Sequence, residues 1–402
     1  MIPARAPVQR PRDARLLVVS AGGRMSHAPR SRLVEFLRRG DVVVANDAAT
    51  FPASLHGVHE RTGSAIEARL AGRSSLRSDD VRRFIAVVFG EGDFRMRTED
   101  RPSPPPLGRG DRLRFGPLNA VVEATLDHPR LIAMRVEGSI EAIWEGIARH
   151  GRPIQYAHVD TPLNLWDVWT PIAAVAAAFE PPSAGFVLDW TTVQAMGERG
   201  VGLASITLAA GISSTGDPDL DRRLPLNEPY RITRAAASAI SRAKRERRRI
   251  VAIGTTVVRA LEHAATRDGV VRAGDGVADQ RVGPDTRLRI VDAIVSGTHE
   301  PDSSHYQLLR AFVDDETLAE ASAALEARGY RTHEFGDSVL VEKSDARNAE
   351  TAGTAGNASN RLVSATDELP ELSLVQQGDA VTLLAQPFDL HQLASTVAAC
   401  RL

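Results

Sequence analysis

Cysteine is almost missing from this chain: Cys400 is the only one in 402 residues. A single thiol near the C-terminus excludes an internal disulfide, a multi-thiolate zinc site and a cysteine-held iron–sulfur cluster, so redox chemistry has little support. Long apolar runs are missing too. Residues 1–15 carry several arginines but no apolar stretch that would form a signal-peptide core, and no later segment is long and apolar enough to span a bilayer. The expectation is a cytoplasmic protein that does not engage a membrane. The chain also has no G-x-x-x-x-G-K-[ST] phosphate loop, no H-E-x-x-H zinc helix and no G-x-S-x-G nucleophile elbow, so readings built on those motifs fail for want of parts. No solenoid or propeller repeat is present.

What is present is ordinary globular material. Hydrophobic residues make up 43% and charged residues 25%, enough apolar content to bury a core. A chain of 402 residues exceeds what one core usually serves, so two domains are the starting expectation. The net charge of −2 hides a dense basic run of Arg242, Lys244, Arg245, Arg247, Arg248 and Arg249. Such a run suits phosphate contact; it equally suits the solvated end of a helix, where cations meet the negative end of the macrodipole.

Residues 15–19 and 41–45 read as short buried strands with a helix at 31–39 between them. From 53 to 136 the pattern changes to short apolar stretches, 66–70, 84–89 and 120–126, separated by Gly, Pro and charged clusters. That spacing predicts a small β-rich domain of barrel type. The proline-rich stretch 101–106 cannot lie in a central strand, because proline removes ladder donors and fixes φ.

After Gly151 strands and helices alternate: strands at 202–208, 249–253, 288–295 and 338–342, helices at 233–247, 256–265, 304–313 and 315–327. This predicts a mainly parallel sheet with helical cover. The expected organisation is an α/β main domain of residues 10–52 and 137–343, a barrel-like insertion at 53–136, and a linker and C-terminal extension at 344–402, with a flexible linker at 346–360 and a small hairpin or docking segment near 372–384. Gly274-Asp275-Gly276 follows no predicted strand and reads as a turn.

Ligands of open parallel sheets lie beyond the carboxyl ends of the strands. The turn after 250–253 holds Gly254, Thr255 and Thr256, with Arg259 one turn into the following helix. Gly254 allows close approach, either threonine can cap the helix, and Arg259 can reach the same anion; an ordinary capped helix fits equally well. The loop after 288–295 carries His299, a candidate proton carrier. The loop 181–186 offers Ser183 and Gly185 for close backbone approach to a ligand.

These residues, taken in order, resemble the S-adenosylmethionine:tRNA ribosyltransferase-isomerase family of queuosine biosynthesis. The match runs from about Arg10 to Lys343 and includes Gly40-Asp41-Val42-Val43-Val44, Asn46-Asp47 and Pro52-Ala53-Ser54-Leu55. Its strongest part, Gly254-Thr255-Thr256-Val257-Val258-Arg259-Ala260-Leu261-Glu262, is similar to the family's GTT-x-x-R-x-LE signature; Val291-Asp292-Ala293-Ile294, His299, Pro301, Ser303 and 335–340 follow.

The resemblance implies an α/β domain with a β-barrel insertion. It also implies transfer and isomerisation of the ribosyl group of S-adenosylmethionine onto the aminomethyl-deazaguanine of a tRNA, giving epoxyqueuosine while adenine and methionine leave. S-adenosylmethionine is then a co-substrate, tRNA the partner, and no metal or further cofactor is needed. His299 is the implied proton carrier; Gly254, Thr255, Thr256, Arg259, Ser183 and Gly185 are the implied binding residues. At three places where the family has histidine, this chain has Val187, Ala209 and Leu226. Those departures keep two further readings open: a paralogue using S-adenosylmethionine on a non-tRNA acceptor, and a non-catalytic nucleoside-binding protein.

Overall fold

The structure, a computed structural model, describes residues 2–5, 13–301, 303–344 and 347. A nine-stranded sheet runs in the order Gly274–Ala278, Glu228–Ile232, Gly202–Leu208, Val42–Asn46, Ile250–Ile253, Ala293–Gly297, Ser338–Glu342, Arg15–Val19, Met25–Pro29. The central four strands, from Gly202–Leu208 to Ala293–Gly297, pair in parallel, and antiparallel pairings flank them on both sides.

Alternate residues of these strands feed two cores. Leu17, Val44, Ile206 and Ala252 pack on one face, Leu16, Val43, Val251 and Val295 on the other. Continuous apolar runs are what a strand covered on both faces requires. Helices Arg234–Arg245 and Trp190–Glu198 start at side-chain caps, the Thr233 hydroxyl accepting from the Ala236 N–H and the Asp189 carboxylate from the Thr192 N–H.

Between Ser54 and Val136 the chain closes a six-stranded antiparallel barrel, as the change of pattern predicts, with residues 101–106 outside its strands. The barrel interior and one face of the sheet share a core, joined where Phe51 meets Phe179 at 4.9 Å between ring centroids and Phe84 meets Phe179 edge-on at 6.3 Å. No helix among the described residues is long and apolar enough to cross a membrane.

Several elements differ from the sequence reading. Residues 31–39 form a short 3-10 helix, Arg30–Phe36, which begins without a side-chain cap at Pro29 and ends as Leu37 turns extended. The strand expected at 288–295 is only Ala293–Gly297, because the Arg289, Ile290 and Val291 N–H groups donate to the Glu262 carboxylate at 2.8–2.9 Å and leave nothing for a ladder. The helix expected at 304–313 is Ser304–Leu309.

The Gly274-Asp275-Gly276 stretch is an edge strand rather than a turn. Tyr230 lies across Gly276, where a Cβ would come 2.4 Å from its hydroxyl, and Arg231 pairs with Asp275 opposite it at 2.6 Å. The basic run sits at the amino end of strand Ile250–Ile253, opposite to the strand ends where ligands of such sheets bind. Lys244 is bound to Asp292 at 3.0 Å and Arg249 to Asp41 at 2.5 Å and to Glu342. The linker and hairpin expected beyond residue 347, and Cys400, lie outside the described residues.

Candidate active site at the carboxyl ends of the parallel strands

Gly254 ends strand Ile250–Ile253 with φ 95°, a conformation that favours glycine, and a Cβ there would lie 3.5 Å from Ala184. The contact brings the turn Ser183–Val187 against the start of helix Thr255–Ala264. Ser183 is half-buried beside it, and Gly185 faces Thr170, 3.0 Å from where its Cβ would be, so packing alone already accounts for a glycine there. Thr255 does not cap its helix. Its hydroxyl bonds the His305 ring at Nδ1, 2.8 Å away, and no side chain caps the helix; Thr256 is half-buried.

Arg259 is turned away from the helix start, contrary to the expectation of a guanidinium beside an anion there. It pairs with Glu228, both 3% exposed, and donates to the carbonyls of Leu226, Ala278 and Gln280. Glu228 accepts in turn from the Gly211 N–H at 3.0 Å, so this pair clamps the loop after strand Gly202–Leu208. The helical spacing that places Arg259 near Thr255 fixes only its Cα; the acceptors on the neighbouring strands decide where the guanidinium goes.

His299 lies beyond strand Ala293–Gly297, as expected, and has company. Its ring stacks on His305 at 4.4 Å and its Nε2 meets the Ser296 hydroxyl at 3.1 Å. Burial, then the neighbouring His305 and His333, hold His299 well below the usual histidine range, and burial lowers His305 to about 4. Both rings are therefore neutral near pH 7.

A second group lies alongside. His158 stacks on His333 at 4.3 Å and bonds Glu334 at 3.0 Å. Burial acts upward on Glu334, but the hydrogen bond and charge of His158 outweigh it and leave the carboxyl below its usual range. Tyr156 stacks with His158 and donates to Glu180, which also accepts from the Ser213 N–H at 3.0 Å. Glu180 is 6% exposed, and burial pushes it up to about 7. Beneath Tyr156 the barrel contributes Arg69, whose guanidinium carbon is 5.5 Å from the centre of the phenol ring.

A small pocket is lined by Tyr156, His158, Glu180 and Glu334, and exposed His333 stacks on His158 outside that lining. Together these groups offer one carboxyl poised to exchange a proton near neutrality, neutral imidazoles at His299 and His305, and a buried cation at Arg69. Sequence reasoning found His299 and Thr255 and missed Glu180, Tyr156, His158, His305, His333 and Arg69. Glu180 directly precedes Pro181-Pro182, at the edge of a loop already singled out; the others come from segments with no motif. Of the three positions where the related motifs carry histidine, Val187 and Ala209 are packed in the core and Leu226 is partly buried against a small apolar cluster with Leu220 and Leu224.

The chain also matches known proteins over most of its length. A family model described as queuosine biosynthesis protein matches residues 2–341. The S-adenosylmethionine:tRNA ribosyltransferase-isomerase of Moorella thermoacetica is 32% identical over 351 residues, covering 84% of this chain and 95% of that one. The protein of the same name from Sorangium cellulosum is 34% identical over 372 residues, covering 86% and 96%. A solved structure of S-adenosylmethionine tRNA ribosyltransferase from Thermotoga maritima is 23% identical, covers 84% of this chain and 96% of its own, and superposes with a TM-score of 0.45. The match to the family model spans both the barrel and the sheet, and the chain belongs to the queuosine biosynthesis protein family.

Proposed function

We propose that this chain is an S-adenosylmethionine:tRNA ribosyltransferase-isomerase. It moves the ribosyl group of S-adenosylmethionine to the aminomethyl nitrogen of a deazaguanine in tRNA, with isomerisation to the epoxide and release of adenine and methionine. The observation that carries this reading is the alignment with so-named relatives over nearly their whole length, 95% in one case.

The side chains suit the chemistry. The sulfonium acidifies the carbon beside it, and Glu180, pushed up to about 7 by burial, is a base of suitable strength held by Tyr156 and Ser213. His299, neutral and stacked on His305, is the second proton carrier in this proposal. A carboxylate also favours a bound sulfonium cation, so substrate binding and ionisation of Glu180 support one another.

The apolar, packed Val187, Ala209 and Leu226 favour a second reading, in which the acceptor is not tRNA. The purified chain is incubated with S-adenosylmethionine, with and without tRNA bearing the aminomethyl-deazaguanine, and adenine and methionine are quantified. Release that requires the tRNA is the expected result. Binding of S-adenosylmethionine with no release in the presence of the tRNA would move the assignment to another acceptor or to a binding protein.

A further inference from the structure

We propose that Arg69, contributed by the barrel, binds the carboxylate of the amino-acid tail of S-adenosylmethionine; this rests on the function proposed above. Arg69 is 1% exposed. Its Nε donates to Glu67 at 2.8 Å, while its Nη1 is buried with no hydrogen-bond partner among the described residues. Buried polar atoms are rarely left unpaired, and an unpaired one on a cation calls for a partner.

The local charge count points the same way. Glu67 is shared between Arg69 and the equally buried Arg101, with the Ser54 hydroxyl as a third donor at 2.7 Å. Arg101 satisfies its remaining charge on the carbonyls of Gly90 and Gly92 at 3.0 Å each. Two guanidiniums thus share one carboxylate; on Arg101 the inner Nε is left unpaired, whereas on Arg69 it is a terminal Nη1. Glu67 keeps Arg69 charged, but the buried Nη1 it leaves unpaired is a donor that an anionic oxygen would satisfy.

The location fits the substrate. The guanidinium lies under Tyr156, whose hydroxyl holds Glu180. The end of the same barrel strand, Ser64–Gly72, abuts the loop after strand Gly202–Leu208, where a Cβ on Gly211 would lie 3.1 Å from the Ala71 carbonyl oxygen. Arg259 is unavailable for this task because Glu228 and three carbonyls occupy it.

A planar guanidinium matches a carboxylate through paired N–H donors. The flexible end of an amino-acid tail can reach a side chain this deeply buried, whereas a phosphodiester flanked by two sugars stays near the surface. The carboxylate is therefore the anion favoured over tRNA phosphate.

Calorimetric titration of the full chain with S-adenosylmethionine and with its decarboxylated analogue tests this without requiring turnover. The unaltered chain is expected to prefer the carboxylate-bearing ligand by about tenfold to a hundredfold, the worth of a hydrogen bond to a charged group. Arg69→Gln is expected to bind both ligands alike, and Arg69→Lys to keep part of the preference. Since the preference is a ratio measured on one sample, a general loss of folded protein does not mimic it. If Arg69→Gln does not fold once its tie to Glu67 is gone, Arg69→Lys and the Glu67→Gln/Arg69→Gln pair carry the same comparison.

Full preference retained in folded Arg69 variants overturns the assignment. If those variants instead lower the salt dependence of tRNA binding, the guanidinium serves phosphate. A chain that binds S-adenosylmethionine without discriminating its carboxylate sinks this inference alone; one that binds none sinks the proposed function as well.

Discussion

Replacing Glu180 by glutamine is expected to lower turnover by about a hundredfold to ten-thousandfold, the usual contribution of a positioned acid or base. The substitution preserves shape and the contact with Tyr156, so substrate affinity is expected to change far less than turnover. The pH dependence separates a proton carrier from a merely structural side chain. Burial moves the Glu180 carboxyl from 4.5 up to about 7, so in the unaltered protein kcat/KM is expected to rise with pH through about 7 as the base ionises. That limb is expected to vanish in the glutamine variant.

Stability moves in the opposite direction. A carboxyl whose folded pKa is raised contributes its stability fully below the unfolded value of 4.5 and loses it as pH rises through about 7. The variant, having no proton to lose, is expected to show a flatter stability profile across that window in urea titrations. A glutamine variant with near-normal turnover and an unchanged pH limb would remove Glu180 from the chemistry.

The sequence revealed those parts of the molecule in which local pattern and tertiary demand agree. Strands Gly202–Leu208 and Ser338–Glu342 and helix Asp315–Ala327 lie where periodicity places them, and the barrel announces itself by short apolar stretches between 53 and 136. It concealed parts governed by distant partners. Residues 288–291 look like a strand and are apolar enough to be one, but the Glu262 carboxylate takes their donors. The site was half visible for the same reason. His299 and Thr255 follow strands directly, whereas Arg69, Tyr156, Glu180 and His333 are separated by tens of residues and meet only because the barrel and the 153–183 segment fold over the strand ends. Nothing in the immediate neighbourhood of Tyr156 or Arg69 distinguishes them from core residues.

Arg259, although it sits in the motif after strand Ile250–Ile253, is held by Glu228 and three carbonyls, and it leads to a prediction of comparable size in stability. Arg259→Met is expected to destabilise the chain by about 3–5 kcal/mol, because it leaves Glu228 as a buried carboxylate without its cation. Burial already holds Glu228 above the usual range even with the guanidinium beside it. Without Arg259 only the Gly211 N–H opposes that upward push, so the loss is expected to grow as pH rises: a group that prefers to be protonated in the folded state forfeits stability as the solution withdraws its proton.

Urea titrations at pH 5.5 and pH 8 measure both effects, and the Glu228→Gln/Arg259→Met pair, which removes both charges, is expected to recover much of the loss. Glu228 also holds the Gly211 N–H, at one end of the loop that reaches Ser213 and through it Glu180. The double variant is therefore expected to regain stability while keeping a turnover defect, since a neutral amide positions that loop less firmly than a carboxylate. Equal stability of Arg259→Met and the unaltered chain at pH 8 would show that the pair does not clamp the loop at all.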